Sequence, residues 1–262
     1  MQPPSGPELL DALERGELRV AERAADGSWN VQAWIKHAIL ELFRKSGLRE
    51  FGRPGDRELW PFVDKDAFPV RAFTLDDGVR LVPGGSSVRR GAHVARGAVL
   101  MPPCYVNVGA WIGAQTMIDS HALVGSCAQV GARVHVSAGA QIGGVLEPAG
   151  ARPVIVEDDA FVGGNCGLYE GVLVRRGAVL ASGTILASGT VVYDLVHERE
   201  LRGTREEPLE IPERAVVVPG SRPAGSAWAK SRGLGLACAL IVKYRDEKTD
   251  RATALEEALR GR

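Results

Sequence analysis

The sequence predicts a mainly β protein wound as a three-sided parallel β-helix, and three observations predict it. From Val88 onward every sixth residue is aliphatic: Val94, Leu100, Val106, Ile112, Ile118, Val124, Val130, Val136 and Ile142. Two positions before most of them stands a small residue, such as Ala92, Ala98, Cys104, Ala110, Thr116, Ala122 and Ala128. The residue after is often glycine, as at Gly113, Gly125, Gly131, Gly143 and Gly163. A six-residue period matches neither the roughly 3.6-residue turn of an α-helix nor the two-residue alternation of an ordinary strand. It fits a coil of three flat sides, each side a short strand and each corner a tight turn. One aliphatic side chain per side points inward and stacks on its equivalent eighteen positions later. The small residue and the glycine are expected at the corners, where a larger side chain or a disallowed φ would clash.

Taken in order, residues 1 to about 50 read as helical, with Leu9, Leu10 and Leu13 on one face and Trp34, Ile35, Ala38, Ile39 and Leu42 on another. Prolines and glycines from about 51 to 85 read as an irregular connection, so residues 1–85 form an N-terminal helical domain with its link. Residues 86–221 form the β-helix, about six coils long. The phase slips by two across GVLEPAGARP, so 145–154 must bulge outward as a loop. The period then resumes at Val156, Val162, Leu168, Val174, Leu180, Leu186 and Val192, giving seventeen aliphatic positions in two unbroken runs. Each such side chain contributes roughly 1.5–3 kcal/mol on burial, most of it offset by chain entropy. A polar excursion over 193–213 is followed by one return to the repeat, AVVVPGS. Residues 222–262 read as a C-terminal cap, with LACALIVKYR a strand and DRATALEEALR a helix, because the open ends of a β-helix need cover.

Composition excludes some functions. Thirty-two basic residues balance 32 acidic ones, so no global field favours nucleic acid or a membrane surface. No stretch approaches the roughly 18–20 apolar residues of a membrane span. The polar, acidic MQPPSGPELLDALERGE has no signal-peptide run, so a cytoplasmic protein is expected. Cys104, Cys127, Cys166 and Cys238 lie at wide, irregular spacings and read as buried free thiols. His93 and His135 share one place in the hexad and His121 takes another, so the three do not converge, and no metal is expected.

Chemistry becomes possible where the repeat is broken. Asp119 occupies the corner slot after Ile118, where glycine is the commonest choice. Its carboxylate points outward, either into a groove beside the coil or onto backbone amides of its own turn.

MPPCYVNVGAWIGAQTMIDSHALVGSCAQVGARVHVSAGAQIGGVLEP resembles the core of the tetrahydrodipicolinate N-succinyltransferases. The resemblance extends to RVAERAADGSWNVQAWIKHAIL upstream and to VYDL, AVVVPGS and IVKYRDEKT downstream, from about residue 18 to the end. A bare hexad is shared by many sugar, serine and chloramphenicol acyltransferases; VGSCAQVG with IGGVLEP is far more specific. The resemblance implies a left-handed β-helix, against the usual right-handed rule for parallel crossovers. It also implies a homotrimer with active sites between subunits and succinyl-CoA as co-substrate. The acceptor would be the amino group of ring-opened tetrahydrodipicolinate, in the diaminopimelate route to lysine. Asp119 matches the family aspartate that contacts the acceptor amine, and Arg80 an arginine that binds an acceptor carboxylate. Three positions depart from the best-known branch: Gly167 replaces an acidic residue, Asn165 an arginine and His121 a tryptophan. A second branch carrying GGNCG at this place is similar.

An ammonium group cannot attack a thioester, so a base is required. Asp119 is the first candidate, Glu170 the second and His121 a third. Arg80, Asp119, His121 and Asn165 are the acceptor-binding set. Backbone N–H groups around Gly143 and Gly144 are the expected oxyanion donors. Arg222, Lys230, Lys243 and Arg245 are candidates for the coenzyme A phosphates. Two alternatives stay open: a related acyltransferase with another acyl-CoA or an aminopimelate-like acceptor, and a non-catalytic β-helix scaffold.

Overall fold

The structure is a computed structural model and describes residues 4–51, 62–204 and 206–246. The six-residue period becomes a left-handed parallel β-helix. The first face stacks Arg80–Leu81, Val99–Leu100, Met117–Ile118, His135–Val136, Phe161–Val162 and Val179–Leu180. The second runs from Ser87–Val88 through Leu123–Val124 and Gln141–Ile142 to Ile185–Leu186. The third runs from His93–Val94 through Trp111–Ile112 and Gln129–Val130 to Glu210–Ile211. Each strand is two residues long because the second residue is the inward aliphatic and the chain turns directly after it. Ile112 pairs with Val94 and Val130, the eighteen-residue register the period implies. All seventeen aliphatics are buried, none more than 5% exposed, in one continuous core. Leu168 belongs to that core from the second face, in a different column from Ile112 and Val130.

The corners are built differently from the expectation. The left-handed residue is the third after most of the aliphatics, and it is often not glycine: Gln115, His121, Cys127, Arg133, Asp159 and Asn165 all have φ between 54° and 66°. The glycine directly after the aliphatic has ordinary φ. It is needed for space: a Cβ on Gly125 would overlap the Gly143–Gly144 backbone of the next coil, and one on Gly163 would lie 2.6 Å from the Leu180 carbonyl.

Several boundaries shift. The coil already includes Arg80–Leu81, which pairs in parallel with Val99–Leu100, inside the stretch read as an irregular connection. Val192 does not stack on Val174; Ile211 does. Val192–Asp194 leaves the prism, pairing with Arg199–Leu201 and with the long strand Gly235–Tyr244. The repeat therefore returns twice after the excursion, at Ile211 and again at Val217 on Leu180. Ala215–Pro223 continues outward as a ribbon with Gly235–Tyr244, closed by the short helix Ala227–Ser231. The expected helix DRATALEEALR lies outside the described residues.

Near the N-terminus two helices form as expected, α1 (Pro7–Arg15) and α2 (Ala33–Lys45). Two antiparallel strand pairs, Ala21–Arg23 with Trp29–Val31 and Leu48–Phe51 with Phe62–Lys65, interrupt the helical reading. Leu9, Leu10 and Leu13 of α1 and Ile35 and Ile39 of α2 pack with Val108 and Cys127, which project from the corner between the second and third faces. This apolar contact fixes the N-terminal domain on that edge of the prism. Among the described residues no helix is long and apolar enough to cross a membrane.

Candidate active site

The candidate base and acceptor-binding residues fall along the first face and on two edges of the prism. On the edge between the first and second faces, Asp119 and His121 occupy one corner and Asn165 a corner two coils further on. His121 and Asn165 take the left-handed position, with φ 62° and 57°. Gly139 separates them, and a Cβ there would overlap the Asn165 side chain. Asp119 Oδ1 accepts the Ser120 N–H at 2.7 Å, so one oxygen is committed to its own turn. The other, Oδ2, stands 4.0 Å from His135 Nε2 on the next coil. Asp119 and His135 are both partly exposed, and the His135 ring lies 5.1 Å from Phe161. The sequence reading raised His135 only as a metal ligand, yet its place beside Asp119 follows from the eighteen-residue register, since it is the rung neighbour of Met117. Arg80 is exposed on the same face, two rungs or about 10 Å along from Met117.

A second group lies on the edge between the second and third faces. There the 145–154 loop and Gly203, Thr204, Glu206 and Pro208 line an open cavity of about 900 Å³. Gly144, Glu170 and Ser188 line it, with Glu147 and Glu206 at its walls. Glu170 has φ 53°, and one carboxylate oxygen, Oε2, accepts both the Ser188 N–H at 3.0 Å and the Ser188 hydroxyl. Gly143 cannot serve as an oxyanion donor, because its N–H is spent on the Leu168 carbonyl at 2.7 Å. The Gly144 N–H has no acceptor among the described residues, so the expected pair of donors reduces to Gly144. Arg152 offers no free charge to the cavity. It donates to the Gly171 and Pro208 carbonyls at 2.9 and 2.8 Å and to Glu210 at 2.6 Å.

The candidates for coenzyme A phosphates are not brought together. Arg222 and Lys243 stand toward opposite ends of the ribbon, paired with Leu236 and Val216. Arg222 Nε is buried without a partner among the described residues. Arg245 donates to the Gly177 and Asp159 carbonyls at 3.0 and 3.3 Å, on the edge between the third and first faces. Lys230 is exposed at the end of the short helix.

The cysteines are all free and buried. Burial pushes the Cys127 thiol up to about 12, only partly opposed by Lys36, which makes it a poor nucleophile. Among the described residues no group of three or more His, Cys, Asp or Glu side chains is arranged to hold a metal ion. His93 is used otherwise, stacked 3.9 Å from Trp111 with Nδ1 2.9 Å from the Glu14 carbonyl.

Comparison with known proteins decides the family. Residues 7–44 match the model for the tetrahydrodipicolinate N-succinyltransferase N-terminal region, and 153–188 match the hexapeptide repeat of succinyl-transferase. A 2,3,4,5-tetrahydropyridine-2,6-dicarboxylate N-succinyltransferase of Nitrobacter hamburgensis is 46% identical over 254 residues, covering 96% of this chain and 87% of the relative. One from Bradyrhizobium diazoefficiens is 46% identical over 97% of this chain and 88% of its own. This chain belongs to the 2,3,4,5-tetrahydropyridine-2,6-dicarboxylate N-succinyltransferase family. A crystal structure from Campylobacter jejuni, described as a 2,3,4,5-tetrahydropyridine-2-carboxylate N-succinyltransferase, shares the fold with a TM-score of 0.55 at 18% identity. The alignment covers 92% of this chain but only 64% of that one, less than two thirds.

Within the N-succinyltransferase framework the departure at Gly167 has a structural counterpart. A Cβ there would lie 2.6 Å from the Tyr169 ring and 3.0 Å from Ile185. The ring of Tyr169 thus fills the space that a side chain at 167 would take.

Proposed function

We propose that this chain transfers the succinyl group of succinyl-CoA to the amino group of ring-opened tetrahydrodipicolinate, in the diaminopimelate route to lysine. The observation that carries the reading is 46% identity, over nearly the whole chain, to relatives that bear that name. The acceptor amine attacks the thioester carbonyl, the carbon–sulfur bond breaks, and the proton lost by nitrogen ends on the departing coenzyme A sulfur. A base must hold that proton in between. Asp119 meets the amine and orients it, with His135 alongside. Glu170, with one oxygen held by Ser188, offers its other oxygen as the base. The Gly144 N–H is the donor for the oxyanion. Arg80 takes an acceptor carboxylate, while His121 and Asn165 line the same edge. Positioning of two substrates supplies much of the acceleration, since no covalent nucleophile is needed.

Asp119 and Glu170 stand on different edges of one prism, which favours a homotrimer. A head-to-tail contact around a three-fold axis sets one edge of a copy against the other edge of its neighbour. The site then forms between subunits, in a cytoplasmic enzyme that takes succinyl-CoA and needs no metal. Arg222, Lys243 and Arg245 remain the candidates for the coenzyme A phosphates.

The test is release of free thiol from succinyl-CoA and from acetyl-CoA with the tetrahydropyridine dicarboxylate as acceptor. Fast turnover with succinyl-CoA alone supports the reading. Preference for acetyl-CoA supports the related acyltransferase, and no release with any donor supports a scaffold.

A further inference from the structure

One buried charge lies outside the proposed mechanism. Lys36, at the end of the first turn of α2, has no exposed surface, and burial pushes its ammonium below the usual lysine range. A lysine is almost never fully buried unless its charge is met. Here the partners are two backbone carbonyls: Lys36 Nζ donates to Ala151 at 2.9 Å and to Pro148 at 3.3 Å. Both belong to the loop that interrupts the hexad. That loop, with Gly144 just before it, supplies half of the residues around the cavity. Its other attachments are Leu146, packed into the apolar cluster under α2, the Val145 N–H on the Ser126 carbonyl at 3.1 Å, and Arg152, which ties its far end to 208–210. The strand ladder holds only its ends, through the Gly143 N–H on the Leu168 carbonyl at 2.7 Å and the Val154 carbonyl on the Gln129 N–H at 2.9 Å; between them none of 143–154 forms a strand.

We infer that Lys36 is a positioning residue: from the N-terminal domain its ammonium fixes the 145–154 loop and so holds the cavity wall, with the Gly144 N–H, opposite Glu170. Its catalytic consequence rests on the succinyl-transfer reading; the anchoring does not. A neutral side chain of similar length leaves the apolar packing of α2 in place and removes only the bond to the loop. Small displacements of a preorganised group are costly in rate, up to about a hundredfold for 1 Å.

The experiment compares the native chain with Lys36→Met and Lys36→Arg. Hydrogen exchange is followed at the loop amides and, as a fold control, at Val130 and Leu168. In Lys36→Met the loop amides exchange at least about tenfold faster while the strand amides keep their protection. The kcat for thiol release from succinyl-CoA falls about tenfold or more with KM for succinyl-CoA changed less than about twofold. Lys36→Arg, which can still donate to both carbonyls, recovers most of both. A loop that exchanges at the native rate in Lys36→Met overturns the inference. So does a KM that rises with kcat unchanged. Should Lys36→Met fail to fold, loop exchange in Lys36→Arg decides, native protection supporting the anchor and faster exchange refuting it. A native chain without turnover refutes the succinyl-transfer reading, and loop exchange alone then decides the anchor.

Discussion

In the proposed mechanism a single departure from the repeat, Asp119, carries the contact to the acceptor amine. The hexad puts an outward side chain at that corner, and a carboxylate there meets both its own turn and His135 on the next coil. Asp119→Asn keeps the shape and the turn bond but lowers kcat about a hundredfold, read by thiol release, with unfolding by urea unchanged to within about 0.5 kcal/mol. Gly167 makes a separate prediction. Gly167→Ala pushes against Tyr169 and costs about 1–3 kcal/mol; adding Tyr169→Ala recovers part of that, a coupling that a double-mutant cycle in urea measures. At this scale the sequence was informative where register alone decides. Asp119, His121 and Asn165 share an edge because their spacing in the hexad requires it. The use of Gly143 was not legible, because the period gives the stacking of Ile142 on Leu168 but not which backbone groups that rung consumes. Neither was Lys36, whose partners are carbonyls more than a hundred residues away.

Among the elements, the C-terminal ribbon is where the local sequence misled. Val192 continues the six-residue count but joins a sheet extension, since Asp194 two residues later is buried and must be satisfied. Burial alone would raise the Asp194 carboxyl, yet hydrogen bonds from His197, Tyr244 and Arg199 outweigh it and hold the group well below the usual carboxylate range. A depressed folded value gives a contribution that is complete above the unfolded value near ~4 and is lost as pH falls through the folded one. Protection of the Val192–Asp194 and Gly235–Tyr244 amides should therefore decline only in strong acid, and Asp194→Asn should loosen them already at neutral pH. Hydrogen exchange across the acid range checks both. The 145–154 loop presents the opposite case. Its existence was readable from the phase slip, whereas its clasp, Arg152, was not. Arg152→Ala should cost at least about 2 kcal/mol in urea unfolding, because charge-assisted bonds to Glu210 and to two carbonyls are lost together.

For the whole molecule, one apolar interior carries the fold and its corners present the residues of the proposed site. Ile112→Ala, in the middle of a stack, should cost about 2–5 kcal/mol. Ile185→Ala, on an outward and half-exposed side chain, should stay within about 0.5 kcal/mol. The prism also separates candidate residues that the linear sequence offers as one set. Asp119 and Glu170 lie on different edges, so the account needs a neighbour to join them. Mixing two variants tests that directly. Asp119→Asn and Glu170→Gln should each be nearly inactive as pure assemblies. Unfolded together and refolded in equal amounts, they should regain about a quarter of native succinyl transfer, since one contact in four then pairs an intact Asp119 edge with an intact Glu170 edge. Activity no greater than the average of the two pure variants would contradict the account.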